Sequence, residues 1–305
     1  MTSPPRAASG APRHHASGMG DLSLPRPESI LDQARAENFP VALRVLPREV
    51  RRHLLAIYGF ARLADELGDE APGDRLAQLG WLEADLDRAY AGNPEHPLLQ
   101  RLAPTLTAVA LPRQPFLDLI EANRQDQRVR RYASYAELEQ YCQLSATPVG
   151  RLVLQVFGVA TPERVALSDA VCTGLQLVEH CQDVAEDLAR DRIYLPAEDL
   201  ARFGCREPDL RGSSANPALR DLLCFQMERV RGLLEAGERL IGTLVGWPRL
   251  AVAGFTAGGY AAVDSIRRCG FDVLRQPPRT RRRDVLRHAL RLLWMGRRPT
   301  GAGHE

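Results

Sequence analysis

Two short stretches carry carboxylates at helical spacing among otherwise apolar neighbours. The first, YGFARLADELGDE, places Tyr58, Arg62, Asp65 and Asp69 at i, i+4, i+7 and i+11, on one helix face. The second, in QLVEHCQDVAED, repeats the row with Gln176, Glu179, Asp183 and Asp187 at i, i+3, i+7 and i+11. One such row is ordinarily a solvated face. Two of them, each interrupting a strongly apolar helix, are harder to explain that way. Carboxylates ~6 Å apart across a cleft at an effective dielectric of ~20 repel by about 3 kcal/mol per pair. Several would stay ionised only if cations compensated them. An all-oxygen ligand set suits Mg²⁺, which keeps several waters and shares its other positions with phosphate oxygens. No His or Cys stands at zinc-ligand spacing. Facing rows of this kind would make a diphosphate cleft. Arg192 and Tyr194, in the RDRIYLP that follows, stand where they can close over an anion. Arg192 would serve equally as a cation at a helix C-terminus.

Helices must position these groups. From Ser29 to about Val273 apolar residues recur at helical spacing, for example Leu54, Ile57, Tyr58, Ala61 and Ala64, then Leu76, Leu79, Leu82 and Leu86. Breakers fall between such runs at Pro47, Pro72-Gly73, Asn93-Pro94, Pro112, Pro162, Pro196, Gly212 and Asn216-Pro217. Glu163 to Leu188, free of internal proline, predicts a central helix roughly 39 Å long. The fold class is all-α. Residues 1–26, rich in Pro, Ala, Ser, Gly and His, read as a disordered tail. Residues 27–275 read as a single helical domain and 276–305 as a basic amphipathic tail.

Composition narrows the function. A net charge of +2 over 305 residues, with every basic residue an arginine, argues against a general nucleic-acid binder. No apolar run reaches the ~18–20 residues of a membrane span, and the N-terminus lacks the apolar stretch of a secretory signal. Six scattered cysteines without a Cys-x-x-Cys pair read as reduced, mostly buried residues. A cytoplasmic protein is expected.

The pairing of YGFARLADELGDE with QLVEHCQDVAEDLARDRIYLP resembles the squalene and phytoene synthases, head-to-head prenyl synthases with the isoprenoid-synthase fold. The resemblance covers roughly residues 28–275, including Tyr260 and the GFDVL at 270–274. Glu37-Asn38-Phe39-Pro40 stands where most of that family has a Ser-x-Ser-Phe type stretch. Leu144–Gly150, LSATPVG, stands where they have Ala-Gly-x-Val-Gly. Both variants resemble the bacterial hydroxysqualene synthase branch. The resemblance implies a helical bundle around a central apolar cavity and Mg²⁺ held by Asp65, Asp69, Asp183 and Asp187. It implies a catalytic role for those four aspartates and Tyr58. Arg62, Arg192, Asn38 and Tyr260 would contact the diphosphate. Two positions depart from the family. Glu179 replaces the usual asparagine metal ligand, itself then a candidate ligand, and Gln182 replaces an arginine. Together they make the site more negative by about two charges.

In that branch the substrate is presqualene diphosphate, already condensed by a partner synthase. It is ionised, rearranged and captured by water to hydroxysqualene, which a reductase then consumes in squalene and hopanoid synthesis. One diphosphate needs one arginine fewer, and Glu179 or Gln182 would position the water. Phe39, Phe60, Leu63, Val149, Leu152, Val153, Phe157 and Leu175 are candidates for an apolar tunnel wall, or for ordinary core. Ser145 and Thr147 could bond water or phosphate, or simply the preceding turn. No nicotinamide fingerprint follows a strand, so no NADPH is expected. A synthase condensing two prenyl diphosphates, and a non-catalytic assembly factor keeping the fold, are the alternatives. Finally, residues 275–298 hold nine arginines and one acid, Asp284. Val285, Leu286, Ala289, Leu290, Leu293 and Trp294 form an apolar face there. That pattern suits either a membrane surface or a helix docked on the bundle.

Overall fold

A computed structural model describes residues 46–276 and 278–295. Asn38, Phe39, the 1–26 segment and residues 296–305 lie outside the described residues. Twelve α-helices follow in order: α1 Arg48–Asp69, α2 Arg75–Tyr90, α3 Pro97–Ala108, α4 Gln114–Asp126, α5 Tyr135–Ser145, α6 Thr147–Val156, α7 Pro162–Gln182, α8 Val184–Ala189, α9 Ala197–Arg202, α10 Pro217–Thr243, α11 Gly246–Arg268 and α12 Arg282–Met295. The described residues form no strand, only an isolated bridge between Arg131 and Ile193. The breakers read from the sequence lie at the joints. Pro97, Pro162 and Pro217 open helices, where a missing N–H costs nothing. The side chains of Asp74, Ser134, Thr161 and Asn216 each accept from the backbone N–H three residues on.

The apolar faces assemble two main cores. In the first, Phe60, Leu63 and Leu67 of α1 meet Leu79 and Leu82 of α2, Leu99 and Leu102 of α3, and Phe116 of α4. Phe60 and Phe116 pack edge to face with centroids 4.9 Å apart. The second gathers α5, α7 and the helices from α10 to α12. Gly237 lets α10 lie close on α7, since an added Cβ would stand 2.4 Å from Val171 Cγ2 and 2.8 Å from the Leu167 carbonyl oxygen. Helix α6 serves both: Leu152 enters the first core, Leu154 the second, and Val153 a small third one with Leu46, Leu54 and Ala251. Each fully buried leucine contributes about 1.5–3 kcal/mol.

Three expectations change. Leu76 is exposed, because it sits in the first turn of α2, outside the packed stripe of Leu79, Leu82 and Leu86. On α1 the buried row runs through Phe60, leaving Tyr58 and Ala61 half-buried. The predicted helix 163–188 is interrupted at Asp183, whose ψ of 17° departs from the helical value of about −42°. Backbone bonds continue through the break, from Asp183 N–H to the Glu179 carbonyl at 3.0 Å and from Asp187 N–H to the Asp183 carbonyl at 2.8 Å. Aspartate is a poor helix former because its short carboxylate competes for the backbone, so Asp183 is a natural place to bend.

Candidate active site

The first acidic row lies on the last three turns of α1, against α4. Gly68 makes the approach possible: a Cβ there would sit 2.2 Å from Asn123 Oδ1. With that space open, Asn123 Nδ2 donates to Asp65 Oδ1 at 3.2 Å, and Gln127 Nε2 donates to the Gly68 carbonyl at 2.9 Å. Arg62 Nη1 stands 4.0 Å from Asp65 Oδ2. Burial pushes the Asp65 carboxyl up to about 6, against the pull of Asn123 and Arg62.

The residues after α8 bring the second row to the first. Asp191 takes a left-handed turn, φ 59°, and Arg131 pairs with it at 3.0 Å. Ile193 N–H bonds the Arg130 carbonyl and Ala197 N–H the Tyr132 carbonyl. Pinned in this way, Arg192 points inward and is buried. Its Nη1 stands 2.7 Å from Asp69 Oδ1. Against the burial that disfavours its charge, Asp126 and Asp69 hold the guanidinium protonated above its usual range. The Arg192 backbone N–H also donates to the Asp187 carbonyl at 2.9 Å. The ends of both acidic rows therefore meet at one arginine.

Behind it lies a polar network with no periodic signature in the sequence. Asp126, at the end of α4, accepts from Tyr141 Oη at 2.7 Å and Tyr194 Oη at 3.1 Å. Tyr194 stacks on His180 with centroids 3.8 Å apart. Burial lowers His180 to about 3, so the ring is neutral, and its Nδ1 lies 3.9 Å from Asp187 Oδ2. Burial pushes Asp126 up to about 6 despite Arg192 and the two hydroxyls. Burial, then the Asp183 charge, pushes Asp187 up to about 7, and burial with Glu186 raises Asp183. Of this network only Tyr194 stood out in the sequence. Asn123, Asp126, Tyr141 and His180 are single polar positions on otherwise apolar faces.

Other expected site residues fall elsewhere. Glu179 is exposed. Gln182 turns to the chain before α12, donating to the Pro278 carbonyl at 3.2 Å and lying 3.5 Å from Ser265 Oγ. Tyr260 donates to Glu238 Oε2 at 2.9 Å, stacks on His288 and lies under Arg291, apart from the Arg192 cluster. Ser145 and Thr147 bond the carbonyls four residues back. Phe60, Leu63 and Leu152 have no exposed surface, which makes them packed core instead of cavity wall, while Val149, Phe157 and Leu175 are half-buried.

Among the described residues no group of three or more His, Cys, Asp or Glu side chains is placed to hold a metal ion by itself. The donors still suit an oxygen-seeking cation. Burial holds Asp65, Asp183 and Asp187 above the usual carboxylate range, and a bound cation would favour the ionised form of each. Asp69 Oδ1 is buried against Arg192 without hydrogen-bond geometry. Such a set fits a cation that takes its remaining ligands from water and phosphate.

Comparison with known proteins agrees. The family model for squalene/phytoene synthase matches residues 33–284. Hydroxysqualene synthase of Rhodopseudomonas palustris is 39% identical over 210 residues, 68% of this chain and 70% of that protein. Phytoene synthase of Arthrospira platensis is 34% identical over 231 residues, 70% and 75% of the two chains. The crystal structure of squalene synthase HpnC from Alicyclobacillus acidocaldarius superposes with a TM-score of 0.74 at 40% identity, covering 80% of this chain and 94% of that one. A dehydrosqualene synthase shares the fold, with a TM-score of 0.79 at 22% identity over 88% of this chain and 95% of that one. With matching relatives, a matching fold and both acidic rows in place, this chain belongs to the squalene/phytoene synthase family.

Proposed function

We propose that the protein converts presqualene diphosphate to hydroxysqualene. The observation that carries this reading is the guanidinium of Arg192, the one buried arginine among the described residues, at the junction of the acidic rows. Arg192 is seated there, while position 182, an arginine in most of the family, is a glutamine turned toward Pro278. One diphosphate is matched by one such arginine; condensing two prenyl diphosphates would bring twice the negative charge.

Asp65 and Asp69 on α1 and Asp183 and Asp187 beside the break would hold Mg²⁺. Bound there, the ion supplies Lewis-acid stabilisation of charge developing on the leaving diphosphate. Arg192, with Arg62, would donate hydrogen bonds to the diphosphate, and its ion pair with Asp69 at 2.7 Å holds it at the site before substrate arrives. The carbon–oxygen bond breaks with its electron pair going to diphosphate. The cation rearranges, water adds through oxygen, and a proton is shed. Neutral His180 and Tyr194 line the same small cavity as Arg192 without adding charge, and the Tyr132 and Tyr141 rings stack on Tyr194. No reductant is used. On this reading a condensing synthase supplies the substrate and a reductase consumes the alcohol.

The test incubates purified protein and Mg²⁺ with farnesyl diphosphate and, separately, with presqualene diphosphate, identifying products by mass spectrometry. Hydroxysqualene from the second alone is expected. A C30 condensation product from farnesyl diphosphate, with presqualene diphosphate untouched, would transfer the assignment to the condensing reading that the phytoene synthase relatives favour.

A further inference from the structure

Of the nine large apolar side chains exposed among the described residues, seven lie at 245–250 and 286–295. Helix α12 docks on the bundle by one face only. Its Leu292 is buried, His288 Nε2 meets Asp264 Oδ2 at 2.8 Å, and Arg291 pairs with Glu238 at 3.1 Å. The opposite face carries Leu286, Leu290 and Trp294 at i, i+4 and i+8, 61%, 60% and 61% exposed. The apolar face expected from sequence therefore divides, with Val285, Ala289 and Leu293 packed against the core and these three turned out. Trp247 and Leu250 extend the surface at the start of α11, where Arg249 Nη2 donates to the Leu293 carbonyl at 2.7 Å.

Arginines border this strip. Arg279, Arg281 and Arg282 are exposed at the entry to α12, and Arg283 is 73% exposed with Asp284 no nearer than 4.0 Å. On a helical wheel Arg282 and Arg283 flank Leu286. An apolar stripe with a tryptophan at one end and guanidinium groups along its margin is complementary to an anionic lipid surface, where acyl chains take the leucines and headgroups the arginines. A second copy of the chain is a poor match, because a two-fold contact would set these arginines against themselves. No helix of the described residues is long and apolar enough to cross a membrane.

We infer that the outer face of α12, with the start of α11, is a docking surface for an anionic lipid bilayer. The test is co-sedimentation of the full chain with phosphatidylglycerol-containing vesicles and with phosphatidylcholine vesicles. Binding to the anionic vesicles, weakened by salt, is expected. Leu286→Ser with Leu290→Ser lowers it roughly tenfold or more, and Arg282→Ser with Arg283→Ser removes most of the preference for anionic lipid. A second reading needs no variant: tryptophan emission of the wild-type protein shifts blue on adding anionic vesicles. Absence of that binding or shift overturns the inference, as does leucine-variant binding equal to wild type. A lipid-free dimer that the leucine variant splits would assign the face to a second copy and overturn it equally.

Discussion

The two acidic rows both end in a pair of aspartates four residues apart, yet the protein treats them differently. The α1 row stays on an unbroken helix, and its carboxylates have partners from elsewhere: Asn123 for Asp65 and Arg192 for Asp69. The second row is split by the bend at Asp183, and Asp187 faces a histidine that burial keeps neutral. Burial, then the Asp183 charge, raises Asp187 to about 7, and burial raises Asp65 to about 6. Similar patterns thus give one row whose aspartates are partnered by side chains from elsewhere in the chain and one that is bent beside a neutral histidine.

The largest effect that would break this contrast is at the shared arginine. Arg192→Met should lower kcat by on the order of 10²–10³, measured on presqualene diphosphate. Arg192→Lys should restore little, since an ammonium cannot reproduce the guanidinium fork. A variant with near-normal turnover would show that the meeting of the rows is incidental.

Next comes the pH dependence of stability in chelator. Asp187 and Asp65 have folded values above the unfolded ~3.9, so the folded state holds extra protons between those limits. Stability should be highest near pH 4 and decline as pH rises toward 7. Asp187→Asn should remove a share of that decline, on the order of 3 kcal/mol, while Asp65→Asn, at a more exposed site, should remove less. Urea melts from pH 4 to 8 report it; equal effects from the two variants would erase the difference between the rows.

A smaller change is expected at Gly68. Its alanine variant drives Asn123 away from Asp65 and should cost about 1–3 kcal/mol by overpacking, read as a lowered Tm. Glu179→Asn with Gln182→Arg, which moves the second row toward the condensing relatives, should leave Tm nearly unchanged. It should shift the product from alcohol toward other fates of the cation. An unaltered product and rate would show that those two positions do not shape the reaction.

Much of this was readable beforehand. The breaker residues lie at the helix joints, and the α1 row and Arg192 came from spacing and charge. Period, however, says nothing of lone polar residues. Asn123, Asp126 and Tyr141 matter because of what lies across from them, a relation that only packing creates. Nor could spacing foresee that Gln182 would turn to Pro278 or Tyr260 to Glu238, since helical position fixes a direction but not a partner. The bend at Asp183 carries no proline or glycine to announce it.

Helix α6 sends three successive side chains, Leu152, Val153 and Leu154, into three separate cores. The α1 row belongs to one side of that joint and the bent row to the other. A substitution that loosens α6 would therefore reach the surroundings of both rows at once, although its ten residues carry no group that the site uses. Slow amide exchange along α6, tightening further when diphosphate is added, would be the signature of that mechanical linkage.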